Sequence, residues 1–261
     1  MQDARFSSRD TMVSKPLIRR HRLGLAVALL ALGGVMAPQA QAYQFNSLEA
    51  LGSQGNFELL AKDLSAALAL KPMAPAAGLG LLGFDLGVTT SVTQLSSVAV
   101  LERAAGTTRV PGNLPVVGVR AAKGLPFGFD VGVGYSAIPG TSVRASSGEL
   151  KWAFVSGGLL MPAVAVRGFY TQASGLGRMS LRSRGVDLSV SKGIAMVTPY
   201  AGVGVVQSTA TTSDGTWSKA SYYQPRVFAG ANLNLLLLNV AAEVDKTGED
   251  TSYQVKLGLR F

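Results

Sequence analysis

The chain has no cysteine, a single histidine and only 15% charged residues among its 261. Without cysteine there is no disulfide, no thiolate nucleophile and no lipidated cysteine of a lipoprotein. The one histidine, His21, lies in an N-terminal segment expected to be removed. The remainder therefore lacks the base of Ser-His-Asp and Cys-His catalysis and the usual ligands of zinc or copper. Long apolar runs are also missing. Beyond residue 42 nothing approaches the roughly 18 consecutive apolar residues of a membrane helix. Mean hydropathy is nevertheless +0.28, so the apolar content is dispersed in short pieces.

One apolar concentration stands at the start, where "KPLIRRHR" is followed by "LGLAVALLALGGVMA" and "PQAQA". A basic stretch, an apolar stretch and small residues at Ala40 and Ala42 predict a secretory signal over 1–42, cleaved after Ala42, with Met12 as a plausible start. Beyond it stand 18 Lys+Arg against 13 Asp+Glu, scattered evenly, which is no basis for nucleic-acid binding.

In the last ten residues, "SYQVKLGLRF", Tyr253, Val255, Leu257, Leu259 and Phe261 fall on one parity and polar or small residues on the other. Side chains of a strand alternate between faces, so this strand has one wholly apolar face. The same period runs through "LGFDLGVTTSVTQ", "PFGFDVGVGYSA" and "LLLLNVAAEVDK". Less regular segments at 114–123, 142–155, 162–173, 179–192, 197–210 and 222–234, with the terminal strand at 251–261, make ten strands within 81–261.

The polar parity separates a lipid-facing barrel from a water-soluble one. It is filled by glycine, serine and threonine with isolated charges, which suits a crowded interior better than a hydrated surface. Strand lengths, an even strand count and aromatics near strand ends (Phe127, Tyr135, Trp152, Phe154, Tyr170, Tyr223, Tyr253 and Phe261) fit the girdles of a membrane barrel. The expected fold is all-β: a transmembrane antiparallel up-and-down barrel of about ten strands over 81–261, preceded by a helical periplasmic or plug segment over 43–80.

In that segment "NFELLAKDLSAALALKP" predicts an amphipathic helix, capped by Asn56 and stopped by Pro72. It could lie on the rim, enter the barrel or rest on a membrane surface; packing over one open end is the expectation. "GLGLLG", residues 78–83, matches the dinucleotide fingerprint by letter, but lacks a strand before it and a helix after it.

The inward parity would carry Asp85, Arg120, Asp130, Glu149, Lys151, Arg167, Asp187, Arg226, Glu243, Asp245, Lys256 and Arg260, six acids and six bases. In a narrow lumen such charges must pair. Asp85 with Asp130, or Glu243 with Asp245, could in principle serve acid-base chemistry or calcium, yet structural pairing is the simpler reading. No catalytic residue, metal or cofactor is expected.

The C-terminal aromatic with apolar residues at alternate positions resembles the signal read by the barrel-assembly machinery of outer membranes. More broadly, "GLLGFDLGV", "GLPFGFDVGVGYSAIPG", "GELKWAF", "PAVAVRGFYT", "SKGIAMVTPYAGVGV" and "EVDKTGEDTSYQVKLGLRF" resemble an uncharacterised family of proteobacterial outer-membrane barrel proteins. The resemblance implies a bacterial outer-membrane location with lipid and the assembly machinery as partners. It carries no activity or functional residues. The expected role is a structural or binding scaffold with a filled, ion-paired lumen; the alternative is a narrow, weakly selective passage for an ion or small solute.

Overall fold

The computed structural model describes residues 45, 47–107, 110 and 112–261; Ala40 and Ala42 of the expected cleavage site lie outside them. Ten strands are present: β1 (Phe84–Gln94), β2 (Asn113–Gly124), β3 (Phe129–Ala137), β4 (Arg144–Val155), β5 (Ala163–Leu176), β6 (Met179–Ser191), β7 (Val197–Thr212), β8 (Ala220–Leu235), β9 (Leu238–Thr247) and β10 (Asp250–Arg260). Each pairs antiparallel with its chain neighbours, and β1 pairs with β10, giving a closed up-and-down barrel. The seam runs in register from Asp85↔Arg260 to Gln94↔Thr251. Backbone bonds exchanged by Phe84 and Phe261, at 2.9 and 3.1 Å, finish it. The strict alternation of the last strand thus serves a strand with barrel neighbours on both sides and no free edge.

The barrel is apolar outside and polar within, the reverse of a water-soluble one. Leu86, Val88, Val133, Leu150, Leu188, Val203 and Val227 are exposed on the outer wall, while Asp85, Arg120, Asp187 and Lys256 are buried. One rim carries Phe84, Phe261 and the connections 125–128, 156–162, 192–196 and 236–237. The other carries the connections 95–112, 138–143, 177–178, 213–219 and 248–249, the first of which holds helix α2 (Val98–Ala105). They are called the turn rim and the loop rim below. Near the turn rim Trp152 lies 5.7 Å from both Phe129 and Phe154, and Phe84 meets Phe261 edge-on at 3.8 Å. Phe127 is not in a strand, as its parity suggested. It occupies the tight β2–β3 turn with a positive φ of 62° and is 91% exposed.

The N-terminal helix α1 (Gln54–Leu68) does not cover an open end, as expected, but lies within the loop-rim half of the lumen. Its cap is Ser53, whose hydroxyl accepts from the Asn56 N–H at 3.2 Å; Asn56 instead donates from its side chain to the Leu51 carbonyl at 2.6 Å. The displaced cap has a simple cause: Ser53 is extended, as a cap residue must be, and the helix begins immediately after it. Phe57, Leu60, Ala61 and Leu64 join one apolar core with α2, Leu114, Val116, Val143, Ala145, Ala173, Leu181 and Ala210. Many of these barrel residues point inward, so the loop-rim half of the lumen contains an apolar seat for α1 and is not polar throughout as the pattern implied.

Trp217, in the β7–β8 loop, locks this arrangement by stacking on Phe57 at 6.3 Å and donating from its indole to the Leu48 carbonyl at 3.0 Å. From Ala69 the chain continues extended toward the turn rim and enters β1 through "GLGLLG". There a side chain on Gly124 would stand 1.8 Å from the Gly80 carbonyl oxygen, and one on Gly83 would stand 2.0 Å from that of Leu79. These glycines serve a close crossing of backbones, not a phosphate.

Replacing Phe57 by alanine opens a cavity at this seat and is expected to lower stability by about 3–5 kcal/mol. The check is the urea midpoint of the refolded barrel, followed by the mobility of the unheated band on a gel. An unchanged midpoint would show that the helix is not seated in the lumen.

Candidate functional site

The lumen concentrates the buried charge of the described residues, and all twelve charged residues singled out from the sequence point into it. Alternation puts them there: Asp85 lies on β1, Arg120 on β2, Asp130 on β3, Glu149 and Lys151 on β4, Arg167 on β5 and Asp187 on β6. Arg226 lies on β8, Glu243 and Asp245 on β9, and Lys256 and Arg260 on β10.

Eleven of them form three groups. The largest is a chain of alternating sign linking six strands: Arg120–Glu149 at 2.6 Å, Glu149–Arg167 at 2.9 Å, Arg167–Asp187, Asp187–Arg226 at 3.7 Å and Arg226–Asp245 at 3.4 Å. A second group is Lys151–Asp130 at 2.9 Å. A third is Asp85 with Lys256 at 2.5 Å and Arg260 at 3.2 Å. The Phe169 ring lies 5.0 Å from the Arg167 guanidinium and 4.9 Å from that of Arg226, a cation–π seat for both.

Glu243 stands apart from the ion pairs. It accepts the Met73 N–H at 2.7 Å and the Gln254 amide.

Sequence reasoning missed one member, Lys71. Its ammonium lies 2.6 Å from Asp245 and also donates to the Ala66 carbonyl and the Ser252 hydroxyl. The available signal was that Lys71 is the only charged residue between Asp63 and Asp85. Helical periodicity places Lys71 at the end of a helix and not on a strand face, so parity does not assign its cation to the lumen.

What the network holds is the backbone of the segment running down the lumen. Arg120 donates to the carbonyls of Lys71 and Pro72 at 3.2 and 2.7 Å, and Arg167 to those of Leu70 and Lys71 at 3.3 and 3.2 Å. Arg226 reaches the Leu70 carbonyl at 3.2 Å, and Lys151 those of Pro75 and Ala77, both at 3.0 Å. The N–H groups find acceptors: Met73 on Glu243, Ala77 on Ser191 at 3.2 Å and Leu79 on Asp130 at 3.0 Å. Prolines at 72 and 75 bar this stretch from helix and ladder alike, so its polar groups depend on side chains.

Little space is left. The gap among Pro72, Asp85, Arg120, Asp130 and Asp187 measures about 30 Å³, and that beside Leu70, Lys71 and Gly134 about 50 Å³. These hold a few waters each, not a solute. Asp85 and Asp130 are each engaged by their own cation, as is Asp245. Among the described residues no group of three His, Cys, Asp or Glu is placed to hold a metal ion.

Arg167→Met leaves Glu149 and Asp187 short of a partner in a buried site and is expected to destabilise the barrel by about 3–5 kcal/mol. Urea titration of refolded protein would measure this. A midpoint equal to that of the unaltered protein would mean that the chain of charges carries no structural weight.

No family model and no curated protein matches this chain. Solved structures do. The β domain of the Bordetella autotransporter BrkA is 15% identical with a TM-score of 0.43, covering 69% of this chain and 99% of that one. Neisserial surface protein A is 12% identical with a TM-score of 0.30, covering 68% and 94%. The translocator domain of the autotransporter NalP from Neisseria meningitidis is 12% identical with a TM-score of 0.31, covering 85% and 100%. The likeness concerns the barrel fold alone.

Proposed function

We propose that the protein is an integral outer-membrane barrel, closed by its own N-terminal segment, that acts as a structural or binding scaffold and not as an enzyme. The observation that carries this reading is the plug: residues 69–79 occupy the lumen and are bound there by its arginines, lysines and carboxylates. An open passage would need those contacts to break together. The apolar outer wall supports lipid as its surroundings, since a closed barrel satisfies its backbone without water. With Phe261 on the periplasmic side, as the resemblance of the last strand to an assembly signal implies, the loop rim faces outward.

That rim is the scaffold's presenting surface. The 3₁₀ turn Leu48–Leu51, α2 and the loop bearing Trp217 interlock there, and Arg178 bridges Glu49 and Asp214. Asp85 and Asp130, the pair that acid-base chemistry could have used, are each held by a cation, which supports a structural role for them. The channel reading would require the plug to leave.

Refolded residues 43–261 in a planar bilayer are expected to be electrically silent. Leu60→Asp with Leu64→Asp, which puts charge in the apolar seat of α1, should loosen the plug and give discrete steps. Steady steps from the unaltered protein would replace the scaffold by the channel.

Location in lipid has its own test. In Trp217→Phe, Trp152 is the only tryptophan left beyond residue 42. Its emission should be quenched by lipids brominated on their acyl chains and shielded from iodide; the opposite pattern would remove the barrel from the membrane.

A further inference from the structure

The outer wall is not uniformly apolar. Across β4 to β8, two outward rows of side chains run side by side in register. One is Ser146, Gln172, Arg182, Thr209 and Ser221; the other is Gly148, Tyr170, Arg184, Gln207 and Tyr223. Arg182 and Arg184 are both exposed, and Arg184 is steadied by a 2.7 Å bond from its Nε to the Gln207 amide oxygen. Among the described residues no other acceptor meets the guanidinium fork. Beside them lies an open depression of about 440 Å³ lined by Ser146, Gly148, Tyr170, Gln172 and Ser174.

The height of these rows is set by the apolar surface beneath them. On β6 the outward apolar residues below Arg184 are Val186, Leu188 and Val190. Four residues of strand span about 13 Å, or about 10 Å of height at the tilt of a barrel strand, against an apolar band about 25 Å tall. The shortfall is made up at the turn rim on the same side, where Leu159 and Leu160 are 95% and 90% exposed and Ile194 and Met196 are exposed as well. Three carbonyls of the β4–β5 turn have a donor: the Lys192 ammonium reaches those of Gly158, Leu159 and Met161 at 2.8, 2.6 and 3.3 Å. An apolar turn whose carbonyls are capped by a lysine suits the lower boundary of the hydrocarbon, where the apolar side chains enter lipid and the ammonium stays at the interface. Sinking this side by one turn brings Arg182 and Arg184 to the level of the outer headgroups.

We infer that the wall of β4 to β8 binds a phosphate-bearing lipid headgroup through Arg182 and Arg184, with the depression beside Tyr170 and Gln172 receiving its polar part. Guanidinium is suited to this by its planar fork, which engages phosphate oxygens in pairs. The hydrocarbon of the same lipid runs down Val186 and Leu188. Among the described residues, these two arginines, facing outward just above an apolar strip, form no ion pair with an acid. A phosphate supplies the anion.

The inference rests on the barrel spanning lipid, which Trp152 quenching tests separately. Its own test is native mass spectrometry of the refolded full chain, released from phosphatidylcholine vesicles with and without phosphatidic acid. The unaltered protein should retain phosphatidic acid in preference to phosphatidylcholine. Arg182→Gln and Arg184→Gln should each weaken retention about fivefold, and together about 25-fold, the effect of one interfacial charge apiece. Lys246→Gln, an exposed cation on β9, should retain the lipid fully; gel mobility shows that each variant is folded. Equal retention by the double variant would overturn the site. Displacement of the lipid by millimolar inorganic phosphate, with phosphate itself retained, would make the ligand free phosphate and overturn the lipid assignment.

Discussion

Everything in this molecule turns on how a stretch of backbone without secondary structure is kept inside a barrel. Residues 69–79 contain two prolines and run extended through the lumen, where neither helix nor sheet can satisfy their carbonyls and N–H groups. Buried polar groups left alone cost about 1–3 kcal/mol each. Arg120, Arg167, Arg226 and Lys151 take the carbonyls, while Glu243, Ser191 and Asp130 take N–H groups. The dependence is mutual. Those side chains would themselves be charges in a closed space without the backbone and one another.

The charges are arranged to make that possible. Buried ion pairs seldom add stability beyond what apolar packing would supply, because each ion loses its hydration. Their value here is geometric: the chain from Arg120 to Asp245 alternates in sign across the wall, so each cation can face inward with an acid at its flank. Lys71 then closes the circuit from the plug to the wall. The other half of the lumen works by different physics. There α1 buries Phe57, Leu60 and Leu64 against small inward residues such as Ala145, Ala173 and Ala210, leaving room for a helix. Apolar packing seats the plug at the loop rim, and polar pairing orients it toward the turn rim.

The outer wall follows from the same closure. Pairing β1 with β10 removes the edges, so the wall presents side chains only. Its apolar strip is interrupted across β4 to β8 and lengthened at the adjoining turns, an unevenness invisible in any single strand. It emerges when the register sets Gln172 beside Arg182 and Arg184 beside Gln207.

The sequence alone determined the strands, their faces and twelve of the inward charges. Alternation is a local property, and a residue's parity is enough to say whether Arg167 or Leu188 points in or out. It also determined that the last strand ends on an aromatic with an apolar face, which suits the seam. Tertiary structure alone decided where the helix goes, which acid meets which base, and that Lys71 belongs to the lumen. Amphipathicity says that α1 must bury one face but not against what. The apolar character of inward residues near the loop rim was legible only once the helix was found among them. Likewise Phe127 keeps the parity of a strand, and only the tight turn after Pro126 takes it out of one. Pairing and docking depend on distances between residues far apart in the chain, and those exist only when the barrel has closed around its plug.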